Sequence, residues 1–111
     1  MSRPTVAGVI PISAVVSAAS AGDNTLVAAT SGSRILVLSA ALVASGGANT
    51  IRFESGAGGT ALTGQMDIAD NGQFILDFSP AGHFETAKSA LLNLELSAAT
   101  SVAGVITYVV I

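Results

Sequence analysis

The sequence predicts an all-β fold, an antiparallel β-sandwich, and three observations predict it. Leu92, Leu94 and Leu96 alternate with Asn93, Glu95 and Ser97, the period-2 pattern of a strand with one buried face. Two longer runs, Arg34 to Ala44 and Val102 to Ile111, are apolar on both parities, as strands covered on both sides are. Turn-forming residues recur at roughly the eight-to-twelve-residue spacing of sandwiches and barrels. With 111 residues the chain is one domain with room for a single core.

Taken in order, Val6 to Ala18 reads as a first strand or an extended arm. Pro4 and Pro11 belong at an edge or bulge there, because proline has no N–H to give a ladder. Gly22-Asp23-Asn24 turns the chain into a short strand, Thr25 to Thr30, and Ser31-Gly32-Ser33 turns it again into Arg34 to Ala44. Plain alternation along that run sets Ile35, Val37 and Val43 on one side and Leu36, Leu38 and Leu42 on the other. After Gly46-Gly47, Ile51 and Phe53 alternate with Thr50, Arg52 and Glu54 in a strand over Asn49 to Ser55.

Gly56-Ala57-Gly58-Gly59 is a loop, and Thr60 to Ile68 is a strand interrupted by Gly64, with Leu62 and Met66 inward. Asp70-Asn71-Gly72 is a tight turn, since asparagine and glycine accept positive φ. Gln73 to Ser79 follows as a strand with Phe74, Leu76 and Phe78 on one face, until Pro80-Ala81-Gly82 breaks it. Phe84 to Ala90 is the only stretch that reads as a helix, of two turns, or else as a loop. The total of about eight strands falls in the range of sandwiches and jelly rolls. The organisation expected is an N-terminal arm or first strand over residues 1–20 and a β-sandwich domain over residues 21–111.

Composition narrows the function. Half of the residues are hydrophobic and only 10% are charged, against roughly 25% in ordinary soluble domains. Mean hydropathy is +0.70, yet no apolar run approaches the roughly 18 residues of a membrane-spanning helix. Sparse charge on an apolar chain points to contact with protein rather than with lipid. The formal net charge is −3, and Arg3, Arg34, Arg52 and Lys88 stand singly. Nucleic-acid binding needs clustered basic groups to displace counterions from phosphate, so it is not expected. No cysteine is present, which removes disulfide and thiolate chemistry. Arg3, the apolar stretch Val6 to Val16 and Ala19-Ser20-Ala21 loosely imitate a cleaved leader, but Pro4, Gly8, Pro11 and Ser13 break its apolar region.

No catalytic constellation is legible. His83 is the only histidine and lacks any G-x-S-x-G nucleophile context, so it reads as a structural or surface residue. A single histidine without cysteine also argues against zinc. Asp67, Asp70 and Asp77 suggest calcium only until the spacing is compared: Phe78 stands where a bidentate glutamate belongs. The glycine loop at 56–59 lacks the lysine and the helix of a phosphate cradle. With no tryptophan, one tyrosine and four phenylalanines, the chain is poor in the aromatic platforms that bind carbohydrate. No cofactor, metal or small-molecule substrate is expected.

Several segments carry a resemblance. Phe78-Ser79-Pro80-Ala81-Gly82-His83-Phe84-Glu85-Thr86-Ala87, Leu92 to Ala99 and Val102-Ala103-Gly104-Val105-Ile106-Thr107-Tyr108 resemble the C-terminal pattern of small virion proteins of tailed bacteriophages. Asn24 to Ala29, Arg34 to Ser39, Phe53-Glu54-Ser55-Gly56 and Thr60 to Gly64 extend it, so that it covers about residues 23 to 110 and leaves the N-terminal twenty outside. The resemblance implies a jelly-roll-like domain made in a bacterial host cytoplasm and carried on the outer surface of a capsid. There it would act as a non-enzymatic decoration, cement or staple protein, with the major capsid protein and its own copies, in a dimer or trimer, as partners. Similar domains serve in necks, tails and fibres, so a receptor- or glycan-binding fibre, spike or neck module is the alternative. From apolarity and position, the contact residues expected are Arg3, Val6, Ile10 and Ile12 near the N-terminus and Tyr108, Val110 and Ile111 in the last strand.

Overall fold

Alternating side chains sort this chain into two sheets that share one core. The computed structural model describes residues 10–111. Its strands are β1 (Ile12–Ala18), β2 (Gly22–Val27), β3 (Ile35–Ser45), β4 (Asn49–Ser55), β5 (Thr60–Ala61), β6 (Met66–Ile68), β7 (Gln73–Leu76), β8 (Phe84–Glu85), β9 (Leu92–Leu96) and β10 (Ser101–Val110). One sheet runs β1-β10-β3-β7, with β8 also on β3; the other runs β2-β9-β4-β5, with β6 also on β4. All pairings are antiparallel.

Short strands β7 and β8 share one edge of β3, and β5 and β6 share one edge of β4, so the ten strands fill eight positions. The partners are β1 with β10, β2 with β9, β3 with β7 and β8, and β4 with β5 and β6. That nesting is a long hairpin ribbon wound so that successive rungs alternate between sheets. The fold is a jelly-roll β-sandwich.

The core lies between the sheets. Val16, Ala18, Val102, Ile106, Ile35, Val37, Ala40, Leu42 and Ala44 meet Ile51, Phe53, Leu92, Leu94 and Leu96 from the opposite layer. Phe53 spans the gap, with its ring centroid 6.0 Å from Phe74 and 5.0 Å from Phe84, both tilted. Such offset aromatic contacts add to the stabilisation from area burial. Leu62 and Met66 pack against this core from the partly buried rim, as their spacing predicts.

Three expectations are corrected. Simple alternation in β3 fails, because the register between β3 and β10 shifts at Thr107/Tyr108: Thr107 opposes Ser39 while Tyr108 opposes Val37. Leu38 is therefore an extra residue, a β-bulge, and it reverses the parity of everything after it. Leu42 joins Ile35 and Val37 in the core, and Val43 faces out. Second, of the two readings of Phe84 to Ala90 the helix is absent: Phe84–Glu85 is a short strand and the rest is loop. His83 N–H donates to the Val37 carbonyl at 2.8 Å and Thr86 N–H to the Ile35 carbonyl at 2.9 Å, so the edge of β3 captures this segment as β8. Third, β7 ends at Leu76, and Phe78 is exposed instead of sharing the inward face of Phe74 and Leu76.

Polar groups inside the fold are satisfied. Asn49 is buried, its Nδ2 donates to the Ala98 carbonyl at 2.9 Å, and its Oδ1 accepts from Ser97 and Ala98 N–H at 3.1 Å, which holds the turn between β9 and β10. Thr86 Oγ1 accepts from Ile35 N–H at 2.9 Å beneath β8. The expected turn at Asp70-Asn71-Gly72 forms with Asn71 at φ 61°, and Gly72 N–H donates to the Ala69 carbonyl at 2.7 Å. Ile111 exchanges main-chain hydrogen bonds with Arg34, at 2.8 and 2.9 Å, so the β3–β10 ladder extends through the final residue.

Gly104 sits in the middle of β10, opposite Leu42 and Val16. A Cβ there would fall on the Ala41 carbonyl oxygen, a backbone atom that cannot rotate away. Gly104→Ala is expected to lower the unfolding free energy by about 2 kcal/mol or more, as overpacking does. Gly64→Ala, with nothing within 4 Å of its Cβ, should stay within about 0.5 kcal/mol of wild type. Urea denaturation of the two variants checks this, and equal stability would remove the steric argument.

Candidate functional site

The two sheets turn opposite kinds of surface outward. On β2, β9 and β4 the register aligns Asp23 with Glu95 and Arg52, and Thr25 with Asn93 and Glu54. These outward side chains form one connected network. Arg52 Nε donates to Glu54 Oε2 at 2.9 Å, and its Nη2 donates to the same oxygen and to Glu95 Oε2 at 3.2 Å. Asn93 Nδ2 donates to Glu54 Oε1 at 2.8 Å and to Asp23 Oδ1 at 2.9 Å, while Asn93 Oδ1 accepts from Asn24 N–H at 2.9 Å. The Gly56–Gly59 turn folds back far enough for Gly58 N–H to reach Asp23 Oδ1 at 3.1 Å.

Glu54 and Asn93 are fully buried by this arrangement. The hydrogen bond to Glu54 is the main reason that the Arg52 guanidinium has its pKa raised above the ordinary arginine value; desolvation opposes it, and the fields of Glu54 and Glu95 add to it. A raised pKa on a cation stabilises the fold below the unfolded value and is lost only above the ordinary arginine range, so Arg52 stays charged at working pH. Asp23, Glu54 and Glu95 bring carboxylate oxygens within 4.8 Å of one another, a spacing suited to a cation. Arg52 supplies positive charge to that cluster, and each of the three carboxylates already accepts hydrogen bonds. The network is a brace across three strands.

Sheet β1-β10-β3-β7 is the opposite. Its registers set three outward rows: Ser13–Thr107–Ser39, Val15–Val105–Ala41–Ile75, and Ser17–Ala103–Val43–Gln73. None of these residues carries a charge. Val15 is 83% exposed, Ile75 52%, Val43 43% and Val105 41%. Four exposed β-branched side chains among serine, threonine and alanine make a surface that loses little on leaving water. Toward one end, Leu36, Leu38 and Val109 form a separate cluster on this side of the sheet. The 79–83 segment lies over it, with Ser79 N–H donating to the Leu38 carbonyl at 3.0 Å and a Gly82 Cβ position falling on the Leu36 side chain.

Set against protein-family models and curated proteins, the chain finds no match.

The residues expected to make contacts scatter. Arg3 and Val6 lie outside the described residues. Ile10 and Ile12 are exposed at the start of β1. Tyr108 is partly buried against the core, Val110 is half-buried, and Ile111 is exposed beside Arg34. Among the described ones, Ile12 and Tyr108 face each other as a β1–β10 pair. His83 gives its Nε2–H to the Asp77 carbonyl at 2.7 Å, a main-chain partner rather than a serine or carboxylate. Asp67 accepts from Thr50 Oγ1 at 2.9 Å and Asp70 from Gly47 N–H at 3.1 Å, each in its own local role.

Sequence reasoning passed over Val15, Val43, Ile75 and Val105, and also the Asp23–Arg52–Glu54–Asn93–Glu95 network. The period-2 pattern marked Arg52, Glu54, Asn93 and Glu95 as outward, but their adjacency depends on cross-strand register. If the network is a brace, Asn93→Leu should cost about 2 to 3 kcal/mol, because it strips a buried carboxylate of a donor. Glu95→Gln, at a half-exposed partner, should cost less than about 1 kcal/mol. Chemical denaturation of both variants distinguishes them; equal losses would contradict the assignment.

Proposed function

We propose that this protein is a non-enzymatic structural subunit of a tailed-phage virion, a decoration or cement protein that binds the major capsid protein on the outside of the icosahedral shell. The observation that carries the assembly part is the charge-free outward face of β1, β10, β3 and β7. A face without charge docks with little desolvation cost, and β-branched side chains on a sheet lose little rotamer freedom when covered. The phage assignment draws its support from the resemblance in sequence, and the jelly roll agrees with it as an architecture used in viral capsids and lectins. Binding to the assembled shell alone would stabilise it by mass action, which is how a cement protein works without chemistry.

Shell binding by variants of the outward rows tests the proposal. Ile75→Lys and Val105→Lys replace exposed side chains, so both should fold with wild-type secondary structure. Each would bury an unpaired ammonium on docking and should weaken binding to stripped phage heads by roughly tenfold or more. Co-sedimentation with heads reads this directly. Unchanged loading by both variants, or no loading by wild type, would overturn the proposal.

A further inference from the structure

Strand β1 is the edge of its sheet: among the described residues it pairs only with β10. Among the described residues, no main-chain group pairs with its other side. Natural edge strands are usually blunted by lysine, proline or a bulge. From Ile12 to Ala18 there is no charge, no proline and no register shift against β10.

We infer that β1 pairs antiparallel with β1 of a second copy of this chain, about a two-fold axis at Val15. This inference rests on the reading of the protein as an assembly subunit and names its first partner. The sequence around Val15 is close to palindromic in the sense that a two-fold requires. Ser13 would face Ser17, Ala14 would face Val16, and Val15 would meet its own copy. Each pairing is between small or apolar residues, and facing serines can exchange hydrogen bonds. An isologous contact sets every residue against a symmetry mate, where a charge at the axis would meet itself. A strand without charge avoids that repulsion.

Area gives a second reason. Four strands spaced about 4.8 Å apart and about five residues long present roughly 330 Å² of flat face. That falls short of the roughly 500 Å² per partner, about 1,000 Å² in total, that a specific contact needs. Pairing through β1 joins two such faces into one eight-stranded surface, because Val15 and Ser17 on each side stay outward in the same register. The dimer, rather than the monomer, then holds a docking face of useful size.

The chain has no cysteine, so a single introduced thiol reports its own neighbour. Directly opposed residues of an antiparallel pair lie about 4.5 to 5.5 Å apart, within disulfide reach. Under oxidised glutathione, Val15→Cys should crosslink to a homodimer. Ser13→Cys and Ser17→Cys should do so poorly alone and efficiently when mixed. Val43→Cys, exposed on the same face but on β3, serves as the control. Val15→Lys should weaken the dimer by roughly tenfold or more in sedimentation equilibrium, since it sets like charges opposite each other. Circular dichroism checks that each variant keeps the wild-type fold. A wild-type chain that is monomeric at high concentration, or Val15→Cys crosslinking no better than Val43→Cys, overturns the pairing. A monomer that still coats phage heads sinks the pairing alone, whereas a crosslinked dimer that ignores heads supports the pairing and sinks the shell reading.

Discussion

The extra residue in β3 opposite Thr107 and Tyr108 governs more of this molecule than any other local feature. Before the bulge, odd-numbered residues of β3 point inward; after it, even-numbered ones do. Without that change of phase, either Ile35 and Val37 or Leu42 and Ala44 would face solvent. The bulge keeps both halves of the longest strand in the core, and the ladder with β10 runs unbroken in pairing on either side. It also decides what lies outside. Leu36 and Leu38 go to the covered end of the outer face, while Ala41 and Val43 go to its bare middle.

Around that ladder the remaining strands nest in order. β1 and the β7–β8 pair flank it within one sheet, and β4 faces it across the core through Phe53. The result is a sandwich with unlike exteriors. One side is tied by Arg52, Glu54, Asp23 and Glu95, whose charged groups are linked to one another directly or through the Asn93 amide. The other carries no charge on the outward rows of β1, β10, β3 and β7. A sheet face of that kind suits contact with other protein, and the free edge of β1 lies at its border.

Much of the fold was legible because strict alternation and turn chemistry are local. Leu92 to Leu96 and Asn49 to Ser55 form strands where their patterns put them, and Asn71 takes the positive φ that the turn requires. The bulge was not legible, because a run apolar on both parities has no pattern to interrupt. Phe84 to Ala90 reads equally as helix or loop, and Ala87, Lys88 and Ala90 favour helix locally. Hydrogen bonds to Val37 and Ile35 on β3 override that preference, and Ser89 at φ 63° ends the segment. The candidate surface was hidden for a different reason: Val15, Val105, Ala41 and Ile75 lie far apart in the chain and become one row only through three strand pairings.

Gly82 has a consequence beyond its turn. It is held at φ +82° with no room for a Cβ beside Leu36, so it lets the 79–83 segment lie flat over Leu36, Leu38 and Val109. A side chain there would press on Leu36 in a strained backbone conformation, so Leu36 or the segment must shift; where the segment lifts, three more apolar residues open beside the bare rows. Scattered exposed valines would then join into a continuous greasy strip along the sheet, next to an unguarded edge strand. One missing methyl group thus keeps the apolar end of this face covered.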